Sequence, residues 1–359
     1  MIFRPLQIKD IRKETEDCVS ISFDIPEKWK DEFIFKQGQN ITVKMLIDEE
    51  EIRRSYSICS SPLENELRVA VKKVDAGKFS SLANTSLKKG DMLEVLPPTG
   101  NFLTELNSGQ AINYLAFGAG SGITPIISII KTTLATELKS SFTLVYGNRD
   151  FSSIIFREEL EALKNKYMQR FQIYHILSRE ETDAPINHGR INTEKCLELM
   201  RLIDLGSFDA FFICGPEQMI FDVKAFLELQ GIAEKNIHFE LFHTPGQAQI
   251  KILNNRWDVE NHLEERMSNV IVKLDGRSFH INMGYHSVSI LNAALKQGVD
   301  LPFACKGGVC STCRAKLIEG KVEMDVNYAL EADELEAGFI LTCQSHPRSE
   351  KVVVDFDVK

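Results

Sequence analysis

The sequence lacks any run of 18 or more apolar residues, and its opening residues, MIFRPLQIKD, lack the basic and apolar regions of a signal peptide. We therefore expect a cytoplasmic protein without a membrane partner. Positive charge is scarce, since 42 Lys and Arg stand against 51 Asp and Glu, a formal net charge of −9. Nucleic-acid binding needs clustered positive charge, so no nucleic-acid partner is expected.

Cysteine is also scarce: eight in 359 residues is too few for a disulfide scaffold. The four cysteines of the first two-thirds are scattered, at Cys18, Cys59, Cys196 and Cys214. The other four crowd into the last sixty residues, at Cys305, Cys310, Cys313 and Cys343. The chain is long enough for two or three domains, and this asymmetry predicts that the last of them binds a metal.

The pattern of the chain predicts a multidomain protein with β and α/β parts. Residues 1–106 contain short strand-like runs typical of a small antiparallel barrel: ISFDI, NITVKML, SYSIC, LRVAVKKV and MLEVL. Residues 107–243 alternate strand and helix patterns, which indicates a parallel sheet covered on both faces. Residues 244–267 are polar and predict a linker, and residues 268–359 begin with a hairpin that turns at Asp275-Gly276.

The crowded cysteines have the spacing C-x4-C-x2-C followed by a distant fourth, the ligand pattern of a plant-type [2Fe–2S] cluster. Two irons bridged by sulfides need four converging thiolates, which a tight loop and a remote strand can supply. Gly307 and Gly308 would let the loop backbone approach the cluster and direct N–H groups at sulfur.

Zinc is the alternative, held either by all four cysteines or by three of them and His346, which follows Cys343 by three residues. Zinc fingers usually use two C-x2-C knuckles, and the second here would be Cys-Gln-Ser-His. The spacing favours iron–sulfur and leaves zinc open.

Residues 269–359 resemble a plant-type ferredoxin domain, which implies a β-grasp fold. The stretch CKGGVCSTCRAKLIEGKVEMDVNYALEADELEAGFILTCQSHP is similar to the C-terminal domain of phenylacetyl-CoA epoxidase reductase subunits, and VEMDVNYAL carries the likeness to that subfamily. The resemblance implies that the cluster ligands are Cys305, Cys310, Cys313 and Cys343.

A flavin motif precedes this domain. Arg54-Ser55-Tyr56-Ser57 is similar to the R-x-Y-S motif of ferredoxin–NADP reductase-like enzymes, which the chain resembles over residues 1 to about 243. The resemblance implies FAD, with Arg54 on the pyrophosphate, Tyr56 against the isoalloxazine and Ser57 near its N5 edge. A half-buried strand with an exposed arginine is the structural alternative. Gly77, Lys78, Phe79 and Ser80 resemble the second phosphate-binding element of the family.

A glycine-rich loop, Gly118 to Pro125, lies between a predicted strand and helix. It is not the G-x-G-x-x-G fingerprint, because position 123 is Ile, but it is close to the loop of the reductase family. Gly118 and Gly120 would then approach a nucleotide pyrophosphate, with Thr124 at the nicotinamide end. A structural turn is the alternative.

The motif Cys214-Gly215-Pro216 follows a predicted strand, as C-G-P does in the family, where the cysteine lies by the nicotinamide. Glu240 and Phe242 match family positions near the flavin. Tyr56, Ser57 and Cys214 are therefore the residues expected beside the reacting rings.

The choice between NADPH and NADH depends on the residues that follow the predicted strands SFTLVY and FQIYHIL. Arginine accommodates a ribose 2′-phosphate, and Ser178-Arg179 is similar to the pair that holds it in NADP-using relatives. Gly147-Asn148-Arg149-Asp150 offers both signs of charge. We expect NADPH rather than NADH.

Together these resemblances imply a reductase that passes electrons from NADPH through FAD and a [2Fe–2S] cluster to a separate oxygenase component. The ferredoxin segment favours a di-iron oxygenase acting on phenylacetyl-CoA. A ketosteroid hydroxylase or an aromatic-ring hydroxylase is the alternative acceptor, and a zinc-bearing scaffold on an inactive reductase fold is the alternative class. We expect a monomer or a weak oligomer.

Overall fold

The computed structural model describes residues 2–242 and 266–358. Almost all of the predicted linker at 244–267 lies outside the described residues, and its last residue, Met267, begins a strand. Across the part that is described, no helix has the length and apolar character needed to cross a bilayer.

The first sheet is antiparallel, with six strands in the order β4-β3-β6-β1-β2-β5. Its strands are β1 (Arg4–Thr15), β2 (Cys18–Asp24), β3 (Asn40–Ile47), β4 (Glu50–Ser57), β5 (Leu67–Lys72) and β6 (Met92–Val95). A bridge between Ile58 and Val69 joins the two ends of this order, so the sheet closes on itself as a barrel. Helix α1 (Lys78–Thr85) packs against it. The predicted barrel is confirmed.

Strand β1 was not predicted, although it is the longest strand of the barrel. Leu6 and Ile8 are buried in the barrel core. The pairing register of β1 with β2 shifts between Ile8 and Asp10, and charged residues exposed to solvent follow. The bulge interrupts the regular alternation of apolar and polar residues from which a strand is predicted.

The second sheet is parallel, with five strands in the order β11-β10-β7-β8-β9. Its strands are β7 (Asn113–Ala119), β8 (Ser141–Asn148), β9 (Phe171–Leu177), β10 (Ala210–Cys214) and β11 (Ile237–Glu240). Its helices are α2 (Ile123–Thr136), α3 (Arg157–Lys166), α4 (Thr193–Leu199) and α5 (Glu217–Leu229). Helices α2 and α3 contribute to one apolar core and α4 and α5 to another, so both faces are covered, as predicted. Only β11, with four residues, was missed.

The third sheet is mixed, with five strands in the order β13-β12-β18-β14-β16, and a two-stranded sheet pairs β15 with β17. The strands are β12 (Met267–Leu274), β13 (Arg277–Gly284), β14 (Arg314–Glu319), β15 (Val322–Met324), β16 (Phe339–Leu341), β17 (Ser345–Pro347) and β18 (Lys351–Asp355). The helices are α6 (Ile290–Lys296) and α7 (Ala332–Glu336). Asp275 and Gly276 have φ of 50° and 71°, which confirms the predicted hairpin turn.

The barrel and the parallel sheet meet through buried polar contacts. The Ser128 hydroxyl on α2 donates to the Ser60 carbonyl at 2.6 Å, and the hydroxyls of Ser61 and Thr132 lie 2.9 Å apart. Val309, from the cysteine loop, is buried in the apolar core on the α4 and α5 face of the parallel sheet. These contacts bring β4, the carboxyl edge of the parallel sheet and the cysteine loop around one cavity.

Candidate flavin, nucleotide and iron–sulfur sites

A cavity of about 520 Å³ lies where the three sheets meet. The predicted site residues that line it come from all three, and they are Arg54, Ser55, Tyr56, Ser57, Gly77, Lys78, Phe79, Ser80, Thr124, Glu240, Phe242, Cys305 and Cys310. Residues up to 256 positions apart in sequence thus converge on one space, between Arg54 and Cys310. Their cofactor roles stay predictions.

Strand β4 supplies the barrel side of the cavity. Arg54 is exposed there, and its Nη1 donates to the Arg53 carbonyl at 2.7 Å, which leaves a cation at the cavity wall. The Tyr56 and Phe79 ring centroids lie 5.6 Å apart. Burial raises the pKa of Tyr56, so its phenol stays neutral. A cation and an aromatic face suit the pyrophosphate and ring of a flavin nucleotide.

Gly77 immediately precedes α1, so the predicted phosphate element is the first turn of a helix rather than a free loop. A Cβ on Gly77 would overlap Ser80 Oγ and the side chain of Val74. Ser80 Oγ accepts from the Val74 amide and donates to the Gly77 carbonyl, both at 3.2 Å, so this hydroxyl holds the turn itself. Lys78 pairs with Glu50 at 2.6 Å on the surface.

The glycine-rich loop ends β7 and begins α2. Gly120 has φ of 53°, and its carbonyl accepts from the Tyr146 hydroxyl at 3.0 Å. Gly122 is the most constrained position, because a Cβ there would overlap the backbone carbonyl of Cys214. The Thr124 hydroxyl donates to the Ser121 carbonyl at 3.0 Å. The sequence showed Gly122 in the GAGSG run, but its close approach to β10 becomes visible only in the fold.

Gly122→Ala is expected to destabilise the parallel-sheet domain by about 1–3 kcal/mol, the usual cost of overpacking. The added methyl group would force the α2 turn away from Cys214. Denaturant unfolding of the purified holo-protein measures the loss. Gly109→Ala is the matched control, because the nearest atom to its added Cβ would be 3.5 Å away. Equal stability of the two variants would contradict the prediction.

Cys214 ends β10 and pairs in register with Gly118 of β7 on one side and Glu240 of β11 on the other. Burial raises the pKa of the Cys214 thiol, and the negative charge of Glu240 raises it further, so the group is a neutral thiol. A Cβ on Gly215 would overlap the side chain of Met219. The three strand ends therefore form one tightly packed edge of the sheet.

Glu240 joins this edge to the barrel. Ser57 Oγ donates to Glu240 Oε2 at 2.9 Å. Burial raises the pKa of Glu240 to about 7, the Ser57 hydrogen bond opposes the shift, and negative charge on Cys310 adds to it. A carboxyl group with this pKa can hold or release a proton near neutral pH, at a cavity wall that it shares with Phe242.

Ser178 and Arg179 follow β9 and do not line the cavity. The Ser178 hydroxyl donates to the Asn148 carbonyl at 3.2 Å, and the Arg179 amide donates to the Arg149 carbonyl at 2.8 Å. Strand β9 is two strands from β7, a separation of about 10 Å. An exposed guanidinium at that distance from the glycine turn suits the adenosine end of a dinucleotide.

The four clustered cysteines converge. Three lie on the loop between α6 and β14, and Cys343 follows β16. Cys305 lies within hydrogen-bonding reach of Cys310 and Cys343, and Cys343 within reach of Cys313. The Gly307 amide donates to Cys305 Sγ at 3.3 Å, as expected of a loop that directs N–H groups at sulfur.

The geometry argues against His346 as a ligand of a zinc ion at the cysteines. Both ring nitrogens of His346 are engaged elsewhere, Nδ1 with the Ser287 carbonyl and Nε2 with Asp325, each at 3.0 Å. The four cysteine thiols lie next to one another in space. Such a set would fit a [2Fe–2S] cluster, which is held by four cysteines.

Three family models match the chain: an oxidoreductase FAD-binding domain over residues 5–103, an oxidoreductase NAD-binding domain over 117–225 and a 2Fe-2S iron-sulfur cluster binding domain over 272–348. The chain is 45% identical over 358 residues to a 1,2-phenylacetyl-CoA epoxidase subunit of Escherichia coli (strain K12), covering 99% of this chain and 98% of that protein. The chain belongs to the family of oxygenase reductase components.

Other relatives agree with this assignment. The chain is 32% identical over 357 residues to the ferredoxin reductase component of 3-ketosteroid-9-alpha-monooxygenase from Rhodococcus rhodochrous, covering 98% and 96% of the two chains. The solved structure of phthalate dioxygenase reductase has the same fold, with a TM-score of 0.58 at 24% identity over 99% of this chain and 98% of that one. The reductase therefore carries electrons from a pyridine nucleotide through FAD and a [2Fe–2S] cluster to an oxygenase component.

When bound, FAD takes up the electron pair of a hydride and gives up electrons one at a time. The reductase's own residues have four tasks around it. Arg54 would hold its pyrophosphate, and Tyr56 would lie against its ring. Glu240, held by Ser57, can keep or release a proton at the cavity wall. Cys305 borders the same cavity, so the cysteine loop would face a flavin bound there.

Sequence reasoning missed Lys72 and Ser121, which also line the cavity. Lys72 ends β5, lies 3.6 Å from Asp17 and approaches Gly120 of the neighbouring domain. The LRVAVKK run predicted β5. Only the closure of the barrel brings Lys72, the last residue of β5, towards the glycine-rich loop.

Proposed function

We propose that this reductase uses NADPH and delivers electrons to a di-iron oxygenase component that epoxidises phenylacetyl-CoA. The observation that carries the proposal is the 45% identity to the 1,2-phenylacetyl-CoA epoxidase protein, which extends over 99% of the chain. Identity to the ketosteroid monooxygenase reductase is lower, at 32%. The VEMDVNYAL stretch beside the cluster loop supports the same choice.

The test is reconstitution with purified oxygenase components. The holo-reductase, NADPH and the phenylacetyl-CoA oxygenase should give epoxide formation in step with NADPH oxidation. The 3-ketosteroid oxygenase, assayed in parallel, should give little product. Coupling to the ketosteroid oxygenase alone would overturn the assignment, and coupling to neither would direct attention to an aromatic-ring hydroxylase.

Size-exclusion chromatography in the same preparation tests the proposed monomer or weak oligomer, and cell fractionation tests the cytoplasmic location.

Preference for NADPH is assigned to Arg179. Arg179→Ala is expected to raise the KM for NADPH by about tenfold, because a charge-assisted hydrogen bond to phosphate contributes about 1.5–3 kcal/mol. The KM for NADH should stay constant, since NADH has no 2′-phosphate. Ferricyanide reduction measures both values.

The control is Arg201→Ala, which removes an exposed arginine after α4. It should change neither KM. A similar rise in the KM for NADPH and in the KM for NADH in Arg179→Ala would contradict the assignment. The arginine would then contact a part of the nucleotide that NADPH and NADH have in common.

A further inference from the structure

Arg53 is a buried arginine next to the flavin motif that has no part in that motif. Its side chain is only 4% exposed, although it carries a charge. Nε donates to Glu51 at 2.7 Å within the same strand. Nη2 donates to Asp300 at 2.6 Å and Nη1 to the Leu301 carbonyl at 3.1 Å. Arg53 borders the cavity, but its fork is occupied by the ferredoxin domain.

The segment that Arg53 holds leads straight into the cluster loop. The Arg53 guanidinium also stacks on Phe303, 4.1 Å from the ring centroid. Leu301 is fully buried in the core of the third sheet, and Phe303 is two residues before Cys305. A displacement of the 300–303 segment would therefore move the first cluster ligand.

A second contact ties the other end of the loop to the same face of the barrel. Thr42 of β3 lies opposite Ser55 of β4, with their hydroxyl oxygens 3.1 Å apart. The Thr42 hydroxyl is also 3.3 Å from that of Thr312, a buried residue between Cys310 and Cys313. Strands β3 and β4 thus contact the cluster loop near both of its ends.

We infer that Arg53 positions the ferredoxin domain so that Cys305 and Cys310 face the flavin cavity. The planar guanidinium can bind a carboxylate, accept ring stacking and donate to a carbonyl at once, which a lysine ammonium cannot reproduce. Because the guanidinium is buried, leaving it without these partners would be costly, so the segment that supplies them is held in place. The inference rests on the proposed cluster ligands but not on the identity of the oxygenase.

The test compares holo-proteins carrying Arg53→Met, Arg53→Lys and Asp300→Asn with the wild type. NADPH supplies two electrons to the flavin, and the oxidised cluster accepts one of them from it. We expect cluster reduction in Arg53→Met to slow by about tenfold or more, because the variant loses the charge-assisted hydrogen bonds that hold the 300–303 segment, each of which contributes about that factor. Arg53→Lys should recover part of the rate. Asp300→Asn should slow the same step and leave NADPH-dependent ferricyanide reduction unchanged.

Small-angle X-ray scattering gives a readout independent of turnover. The radius of gyration should increase in Arg53→Met, because the ferredoxin domain is no longer held against the barrel. The control is Arg12→Met, which removes an arginine that is 63% exposed on the same barrel. FAD and iron content of each variant separates loss of position from loss of cofactor.

The inference would be overturned if Arg53→Met and Asp300→Asn kept both cofactors, the wild-type radius of gyration and the wild-type rate of cluster reduction. A slowing of flavin reduction by NADPH equal to the slowing of cluster reduction would also overturn it, since Arg53 would then act at the flavin or nucleotide. A wild-type protein without a cluster would instead refute the ligand assignment, which distinguishes the two failures.

Discussion

Cys343→Ser is expected to remove the iron–sulfur absorbance and to lower electron delivery to the oxygenase by at least about 100-fold, because loss of even a supporting contact costs metal sites 10–100-fold. Cys343 comes from the end of β16, remote in sequence from the loop that holds the other three thiols. Serine is a much poorer ligand for iron than thiolate. Reduction of ferricyanide, which can take electrons from the flavin, should continue.

Absorbance spectra and iron content measure the first effect, and oxygenase-coupled NADPH oxidation measures the second. Cys196→Ser is the matched control, since Cys196 is a buried thiol on α4 and does not belong to the cysteine loop. It should keep the cluster. Retention of the iron–sulfur bands in Cys343→Ser would show that the fourth ligand lies elsewhere.

Arg54→Met is expected to weaken FAD binding by about 10- to 100-fold, the effect of removing charge-assisted hydrogen bonds of about 1.5–3 kcal/mol. Arg54 presents its cation at the cavity wall beside Tyr56, where a pyrophosphate would lie. Methionine keeps most of the aliphatic length without the charge. Fluorescence titration of the apo-protein with FAD measures the affinity.

Arg12→Met removes an exposed barrel arginine that pairs with Asp10 and does not line the flavin cavity. It should bind FAD as the wild type does. Equal FAD affinity of Arg54→Met and the wild type would assign the pyrophosphate to another group, and Lys72 would be the next candidate because it lines the same cavity.

Local motifs predicted many of the residues that line the cavity. The cysteine spacing, the R-x-Y-S run and the glycine-rich loop are short stretches whose chemistry depends on neighbours in sequence. Strands with regular alternation were also predictable. Those that were missed are interrupted or short: β1 contains a bulge, β11 has four residues, and β15, β16 and β17 have three residues each.

The remaining features depend on contacts between distant segments. Arg53 and Arg54 are adjacent in sequence, yet strand alternation sends them to opposite faces, one buried against the ferredoxin domain and one exposed at the cavity. The R-x-Y-S motif selects Arg54 for the pyrophosphate, but no local pattern indicates what Arg53 contacts. The constraint on Gly122 likewise arises from Cys214, which reaches it only through the pairing of β7 with β10.

The reductase is expected to pass electrons from the nucleotide through FAD to the four-cysteine cluster. Rapid mixing of the anaerobic holo-reductase with NADPH, followed at the flavin and iron–sulfur absorbance bands, tests this route most directly. We expect the flavin band to bleach first and the cluster band to follow, with the second phase missing in Cys343→Ser. A colourless zinc-loaded protein, or a flavin band that bleaches while the cluster stays oxidised with no oxygenase present to take its electrons, would contradict this route.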